Sequence, residues 1–383
     1  MVNSYDIVVL GAGVAGLNTS QLLGSLGLRV CLIDSKNDPT EVSFYTLGSY
    51  IDLDKFGLSK NVIAVDIDGG YIHSTHFTVK KKCKGYILNK KNLYKELFSK
   101  ATENNVSFIS TEIESYLLNE DGTIQSVADK KGNKFEAKIF VDASGIEGFF
   151  SRKFGLQDKS FNTAIGVEYN VEYKGPQNFG HLFIGSLYRG GYGWLFPLGN
   201  NRAIFGFGSF NAEVKTELKQ RLDKILETAA VKKLVTKDND KITGGTIPVT
   251  DVKTRFVYKN IICVGDSVSQ VNPLVGEGHS YILEASCMAA RAINNAIKQN
   301  NLELMHSYEE EWKENFYELY KLGKQIQISA DKSSKHDLRC DFAILALKMK
   351  SDESVARIIT GHVTKKDTRL PLMMGKIAGI LLH

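Results

Sequence analysis

Tyr5-Asp6-Ile7-Val8-Val9-Leu10-Gly11-Ala12-Gly13-Val14-Ala15-Gly16, followed by the apolar run Arg29-Val30-Cys31-Leu32-Ile33 that ends on Asp34, is the stretch whose reading decides the fold. Residues 5–10 predict a buried strand, the glycines a turn, and residues 17–26 a helix with Leu17, Leu22, Leu23 and Leu26 on one side. Residues 29–33 then form a second short strand, which completes a βαβ unit. Each glycine has a physical task. Gly11 permits the tight turn, Gly13 lets backbone approach a pyrophosphate, and Gly16 allows close helix–strand packing. The N-terminus of the helix offers free N–H groups and positive dipole to phosphates, and Asp34, with Ser35 beside it, is placed to accept ribose hydroxyls. A plain tight turn of an unrelated α/β fold is the bland alternative.

The rest of the chain reads outward from this unit. Residues 35–60 look loop-rich, 61–80 strand-like, and 91–104 helical. Strands and turns alternate over 111–141, ending in the buried strand and small-residue turn Ile139-Phe140-Val141-Asp142-Ala143-Ser144-Gly145. From about 160 to 250 the pattern is mostly β, with one amphipathic helix near 213–229, which predicts an antiparallel sheet. Ile261-Ile262-Cys263-Val264 return to a buried strand. A long helix follows from about 278 to 299, and further helices over 302–383. The expected architecture is α/β with an α+β second domain. A discontinuous Rossmann-like domain covers 1–75, 85–158 and 255–300, a β-rich substrate domain covers 76–84 and 159–254, and a helical region covers 301–383.

A second glycine-bearing turn, Gly265-Asp266-Ser267, follows that late strand, and Val271-Asn272-Pro273-Leu274-Val275-Gly276-Glu277-Gly278 leads into the long helix. This pattern suits a flavin. Asp266 can bond a ribityl hydroxyl, and the helix N-terminus can face the ring edge where negative charge grows on reduction. Asp266 as an N-cap and Pro273 as a helix starter are compatible with those roles. A third segment, Gly191-Tyr192-Gly193-Trp194-Leu195-Phe196-Pro197 with Gly206-Phe207-Gly208 after it, sets aromatic side chains on one face of a strand. That face is either an aromatic wall for a flat or isoprenoid compound or ordinary sheet core.

Composition narrows the classes. With 48 Lys and Arg against 43 Asp and Glu, the net charge of +5 is mild, and no reader motif points to nucleic acid. The lysines at 80, 81, 82 and 84 read as a solvated face. The five cysteines (Cys31, Cys83, Cys263, Cys287 and Cys340) lack metal-ligand spacing, so neither a disulfide framework nor a bound metal is expected. Reduced thiols, and an apolar stretch at 7–17 without a basic leader, point to the cytoplasm. No run reaches the ~20 apolar residues that cross a bilayer. The apolar stretch 370–382 suits helix packing, a membrane interface or a substrate tunnel.

Taken together, the segments resemble the geranylgeranyl reductase family within the p-hydroxybenzoate-hydroxylase-like flavoproteins, over most of residues 5–295. The strings Tyr192-x-Trp194-x-Phe196-Pro197 and Asn272-Pro273-Leu274-x-Gly276-Glu277-Gly278 carry the likeness. The resemblance implies an FAD-dependent oxidoreductase that reduces carbon–carbon double bonds of a polyprenyl or other hydrophobic substrate. Its electron donor would be NADPH, ferredoxin or reduced flavin, and contact with the inner face of the membrane would be peripheral. It implies cofactor contacts at Gly11, Gly13, Val14, Ala15, Gly16, Asp34 and Ser35. It extends them to Lys90, Ile113, Ala143, Ser144, Gly145, Gly265, Asp266, Pro273, Gly276, Glu277 and Gly278. His279, Tyr192 and Trp194 are the candidates for proton supply or the substrate pocket. The chain departs from the family in three places. Lys90 stands where the family has arginine, the loop from Val42 to Gly48 lacks the cysteine of archaeal members, and His279 replaces an aliphatic residue. Hydroxylases carry Asp-Gly where this chain has Ser144-Gly145. The alternative is a flavin-dependent monooxygenase, or a halogenase, the latter needing an active lysine such as one of those at 80–84. A non-catalytic flavin-binding protein is the third reading.

Overall fold

The structure, a computed structural model, describes residues 2–42, 46–158 and 162–369. The opening βαβ unit folds as the sequence predicts. Strand Val2–Leu10 leads through the glycine turn into helix Val14–Ser25 and on to strand Val30–Asp34. These strands belong to a sheet ordered Val257–Tyr258, Ile261–Cys263, Lys134–Asp142, Val2–Leu10, Val30–Asp34, Ser107–Ser110. Its central pairs are parallel: Ile7 lies opposite Val30 on one side and Ile139 on the other, and Ile261 lies opposite Phe140. A parallel sheet is covered on both faces, so its strands are apolar runs without alternation. Accordingly Ile7, Val8, Val9, Ile139, Phe140 and Val141 are all buried. The strand at 261–263 returns to this sheet after more than a hundred residues spent elsewhere, so the sheet draws on widely separated parts of the chain.

Helix Val14–Ser25 packs between helices Lys90–Glu103 and His279–Gln299. Its approach to the sheet depends on Gly16, where a Cβ would fall 1.8 Å from the Gly11 carbonyl oxygen.

The second sheet is ordered Val235–Thr236, Thr163–Tyr173, Arg202–Ser209, Gly191–Gly199, Phe179–Phe183, Ile63–His73, Thr78–Asn89, Thr46–Ser49, with Ile242–Pro248 also on Thr163–Tyr173. All its pairs are antiparallel except Phe179–Phe183 beside Ile63–His73. Alternation then sorts its side chains onto two faces. One face sets Tyr169, Val171, Phe205 and Phe207 against Leu222 and Ile225 of the amphipathic helix Leu218–Leu226. The other carries Gly166, Glu168, Tyr192, Trp194, Gly206 and Gly208.

Three features differ from the sequence reading. The strands at 46–49, 63–73 and 78–89 all pair into the second sheet, which therefore takes in more of the chain than the expected 76–84 and 159–254. Their partners are distant in sequence, and no local pattern announces a distant partner. The helix expected near 213–229 is divided into Ala212–Lys215, Leu218–Leu226 and Ala229–Lys232. Residues 35–60, read as loop, hold strand Thr46–Ser49.

Helices Ser307–Ser333, Asp337–Lys348 and Asp352–Ile359 lie in the C-terminal region. Trp312 packs on Phe256, next to strand Val257–Tyr258 of the first sheet, and the Tyr320 hydroxyl donates to the Gln270 carbonyl (2.8 Å). The apolar stretch 370–382 lies outside the described residues. Among the described residues, no helix is long and apolar enough to cross a membrane.

Candidate active site

The two glycine turns, about 250 residues apart, meet. Gly265 adopts φ +82°, and a Cβ there would sit 2.9 Å from the Ala15 Cβ in the first turn of helix Val14–Ser25. Asp142 holds the pieces together. Its carbonyl accepts from the Val264 N–H (3.0 Å) and the Ser267 hydroxyl (2.8 Å). Its buried carboxylate accepts from the N–H groups of Ser144, Phe150 and Ser151 and from the Ser144 hydroxyl (2.5–3.1 Å). Gly11, at φ +99°, lies so near this turn that a Cβ would fall 2.3 Å from the Ala143 carbonyl oxygen. Asp34 steadies the first loop: one carboxylate oxygen accepts the Ala12 N–H (2.6 Å) and the other the Lys36 N–H (2.8 Å). A carboxylate has about four acceptor positions, so capacity remains for a diol.

The residues present fit a flavin dinucleotide. Gly13 caps helix Val14–Ser25 in extended backbone, and a Cβ built on it would meet no protein atom within 4 Å. Gly145 is equally open. Space is therefore kept clear above a helix N-terminus, where an anionic group is favoured. Asp266 Oδ1 and His279 Nε2 are enclosed and find no hydrogen-bond partner among the described residues. Buried polar atoms in native proteins are normally paired, so two orphans at the convergence point mark a site built for a further molecule. His279 opens helix His279–Gln299, and Gly276 and Gly278 shape the loop before it.

The second sheet presents its glycine-rich face to this loop. The Tyr192 hydroxyl donates to the Val275 carbonyl, which ties the aromatic strand to the 272–278 segment. Trp194 rests on glycines: a Cβ would come within 2.4 Å of its ring at Gly206, 3.0 Å at Gly166 and 3.2 Å at Gly208. Tyr192 meets Trp194 edge-on, with centroids 5.9 Å apart. Beside them stands Glu168, only 5% exposed. It accepts the Trp194 indole N–H at 3.2 Å and the Thr243 hydroxyl at 3.4 Å.

Burial governs the charges here. It pushes Glu168 up to about 7, against a lowering by Trp194, Thr243 and the Lys90 ammonium. It pushes Asp266 up to about 6, with Lys90 opposing. His279 falls to about 3, first from burial and then from the Lys90 charge, so its imidazole is neutral at pH 7. Burial also raises Glu277, which accepts from the Ser280 N–H (3.1 Å) and hydroxyl as a helix cap. Lys90 is lowered by burial and raised by Asp266, which places its ammonium among the acids of the site.

Four distant stretches read from the sequence, 11–16, 142–145, 192–194 and 265–279, lie against one another. Val14, Ala15, Ala143 and Ser144 line the meeting turns, Ser35 follows Asp34, and Pro273, Gly276, Glu277 and Gly278 form the loop under Tyr192. Ile113 begins strand Ile113–Leu118, two residues after the Thr111 N–H donates to the Asp34 carbonyl (2.8 Å). His279 is at the expected helix start, but it carries no acidic proton as an imidazolium. Glu168 was missed: no motif marks it, and its place beside Trp194 follows from the pairing of Thr163–Tyr173 with Arg202–Ser209. Of the lysine run, Lys81 is buried, and its ammonium donates to the carbonyls of Lys348 (3.4 Å) and Lys350, on the C-terminal region. Lys80 lies over the rings of Phe179 (4.3 Å) and Tyr71 (5.5 Å). Lys80 and Lys81 are thus engaged with the rings of the second sheet and with the C-terminal region.

The chain matches the family profile described as lycopene cyclase protein over residues 6–351. It is 28% identical to a digeranylgeranylglycerophospholipid reductase of Methanococcus aeolicus over 342 residues, 83% of this chain and 84% of that one. Among solved structures, it is similar to a geranylgeranyl bacteriochlorophyll reductase-like protein of Thermoplasma acidophilum. The TM-score there is 0.75 at 20% identity, covering 98% of this chain and 96% of that one. A flavin-dependent brominase gives a TM-score of 0.72 at 15% identity, covering 99% of both chains.

Proposed function

The chain belongs to the lycopene cyclase protein family and is an FAD-dependent oxidoreductase, and we propose that it saturates carbon–carbon double bonds of a polyprenyl or similarly hydrophobic compound. FAD, once reduced, supplies the hydride. The open helix N-terminus at Gly13 would hold the pyrophosphate, Asp34 and Ser35 the ribose end, and Ala143, Ser144 and Gly145 the wall beside it. Asp266 with the 273–278 loop and the start of helix His279–Gln299 would hold the flavin end. Lys90 balances the acidic groups around it.

The protein's own contribution is placement. Trp194 and Tyr192 form an aromatic wall on a sheet face that meets the 272–278 loop, and an alkene held against that wall is oriented and shielded from water. The observation that carries the reading is the Tyr192–Val275 bond, which fixes the aromatic strand over the loop of the second glycine turn. The hydrophobic substrate brings the chain to the inner face of the membrane as a peripheral protein. Electrons arrive from NADPH, ferredoxin or reduced flavin.

Anaerobic photoreduction followed by addition of a polyprenyl compound tests the reaction. The flavin absorbance should return as product gains two hydrogens per bond. Product formation only in the presence of oxygen, with or without halide, would replace this reading by the monooxygenase or halogenase one.

A further inference from the structure

The saturation of an alkene needs a proton as well as a hydride, and the side chains around Trp194 can be sorted by whether they have one to give. Tyr192 commits its hydroxyl to the Val275 carbonyl, and burial raises it to about 12. His279 is neutral. Glu277 is engaged by Ser280, and Asp266 lies in the cofactor turn next to the influence of Lys90. Glu168 is the carboxylic acid among these that combines deep burial with a place on the glycine-rich face. Gly206 is its partner in register on one neighbouring strand and Thr243 on the other. Gly206 has no side chain to interpose, so the Trp194 ring, from the next strand Gly191–Gly199, lies across that position and reaches Glu168. Its two bonds, at 3.2 and 3.4 Å, come from neutral donors and favour the anion only weakly.

We propose that Glu168 is the acid that protonates the substrate, delivered to the reacting carbon from beside the Trp194 ring. This deepens the reductase reading and rests on it. One alkene carbon gains the hydride and the other gains the Glu168 proton, so C=C becomes CH–CH. The carboxyl becomes carboxylate and is reprotonated from solvent. The Trp194 N–H bond holds the carboxyl and stabilises the anion it leaves. The groups that face this titration are Lys90, whose charge eases ionisation, with Asp266 and His279 around Lys90, and the neutral Trp194, Thr243 and Tyr192.

The test is Glu168→Gln in the holoenzyme, an amide that keeps the acceptor for Trp194 but has no acidic proton. Photoreduction of the flavin should proceed as in the wild type, while its reoxidation by a polyprenyl alkene should slow by roughly 100- to 10,000-fold. The wild-type reoxidation rate should fall as pH rises through about 7, the pH at which the acid is half-ionised. Infrared pH-difference spectra of the wild-type holoenzyme should show a protonated carboxyl band lost over the same range and missing from the variant. Wild-type reoxidation rates in Glu168→Gln, or a wild-type rate flat or rising with pH, would overturn the assignment. If no alkene reoxidises the wild-type flavin, the reductase reading fails. The infrared titration then still decides Glu168: a carboxyl ionised throughout would remove it as a proton source.

Discussion

Gly13→Ala separates the folding of the nucleotide loop from its use. Gly13 has φ −74° and ψ −178°, a conformation open to any residue, and a Cβ there meets no protein atom within 4 Å. Two small terms remain. Alanine reduces the freedom of the unfolded chain, which favours the variant by about 0.4–1 kcal/mol. As an N-cap it is poorer than glycine by roughly 0.5–1 kcal/mol. These offset, so the apoprotein should keep its stability within about 1 kcal/mol. Binding should suffer. A methyl group in the space reserved for pyrophosphate removes at least one charge-assisted N–H bond, about 1.5–3 kcal/mol, which is roughly 10- to 150-fold in Kd. Urea unfolding of the apoprotein and fluorescence titration with FAD measure the two quantities. Gly16→Ala is the contrast, because a Cβ 1.8 Å from the Gly11 carbonyl oxygen must break the fold locally and show as lost stability. An unchanged FAD Kd in Gly13→Ala would refute the assignment of that open space to the cofactor.

Three further outcomes are expected. Glu168 has a folded-state pKa near 7 against an ordinary 4.5, so the native state holds its proton more tightly and stability declines as pH rises from about 4.5 to 7. By linkage the loss is about 3 kcal/mol, and Glu168→Gln should be the more stable protein at pH 8 in urea titrations. Asp367, 1% exposed, accepts from Arg357, Ser354 and Thr364, chiefly the Arg357 guanidinium, which holds its carboxyl well below the usual range. Its stabilisation is present above the ordinary pKa and fades as pH falls through the lowered one, and Asp367→Asn should cost about 2 kcal/mol at pH 7 by urea unfolding. Tyr192→Phe leaves the Val275 carbonyl short of a donor, about 1 kcal/mol, and should weaken FAD about five-fold in the same fluorescence titration.

The parts of the fold legible in the sequence are those whose cause is local. Gly11, Gly13 and Gly16 act through a turn they form themselves, and the apolar runs at 5–10, 139–141 and 261–264 are each complete signals of a strand covered on both faces. The second sheet was legible as β but not in its membership. Thr46–Ser49 pairs with Tyr86–Asn89, and Phe179–Phe183 lies parallel to Ile63–His73. Such partnerships depend on the whole chain. Glu168 escaped for a related reason. In Val167-Glu168-Tyr169-Asn170-Val171-Glu172-Tyr173 polar and apolar residues alternate, and nothing local sets one acid apart from the other. Only the fold shows that Glu172, at one end, is exposed while Glu168 is roofed by Trp194. His279 illustrates the converse. Its place at the helix start was readable, but its charge state follows from burial and Lys90, which the sequence does not display.

Titration of the apoprotein with FAD bears most directly on the convergence of Gly13 and Gly265 on one molecule. One FAD should be taken up saturably per chain, with the visible spectrum of a bound flavin. A chain that stays colourless at saturating FAD would contradict it.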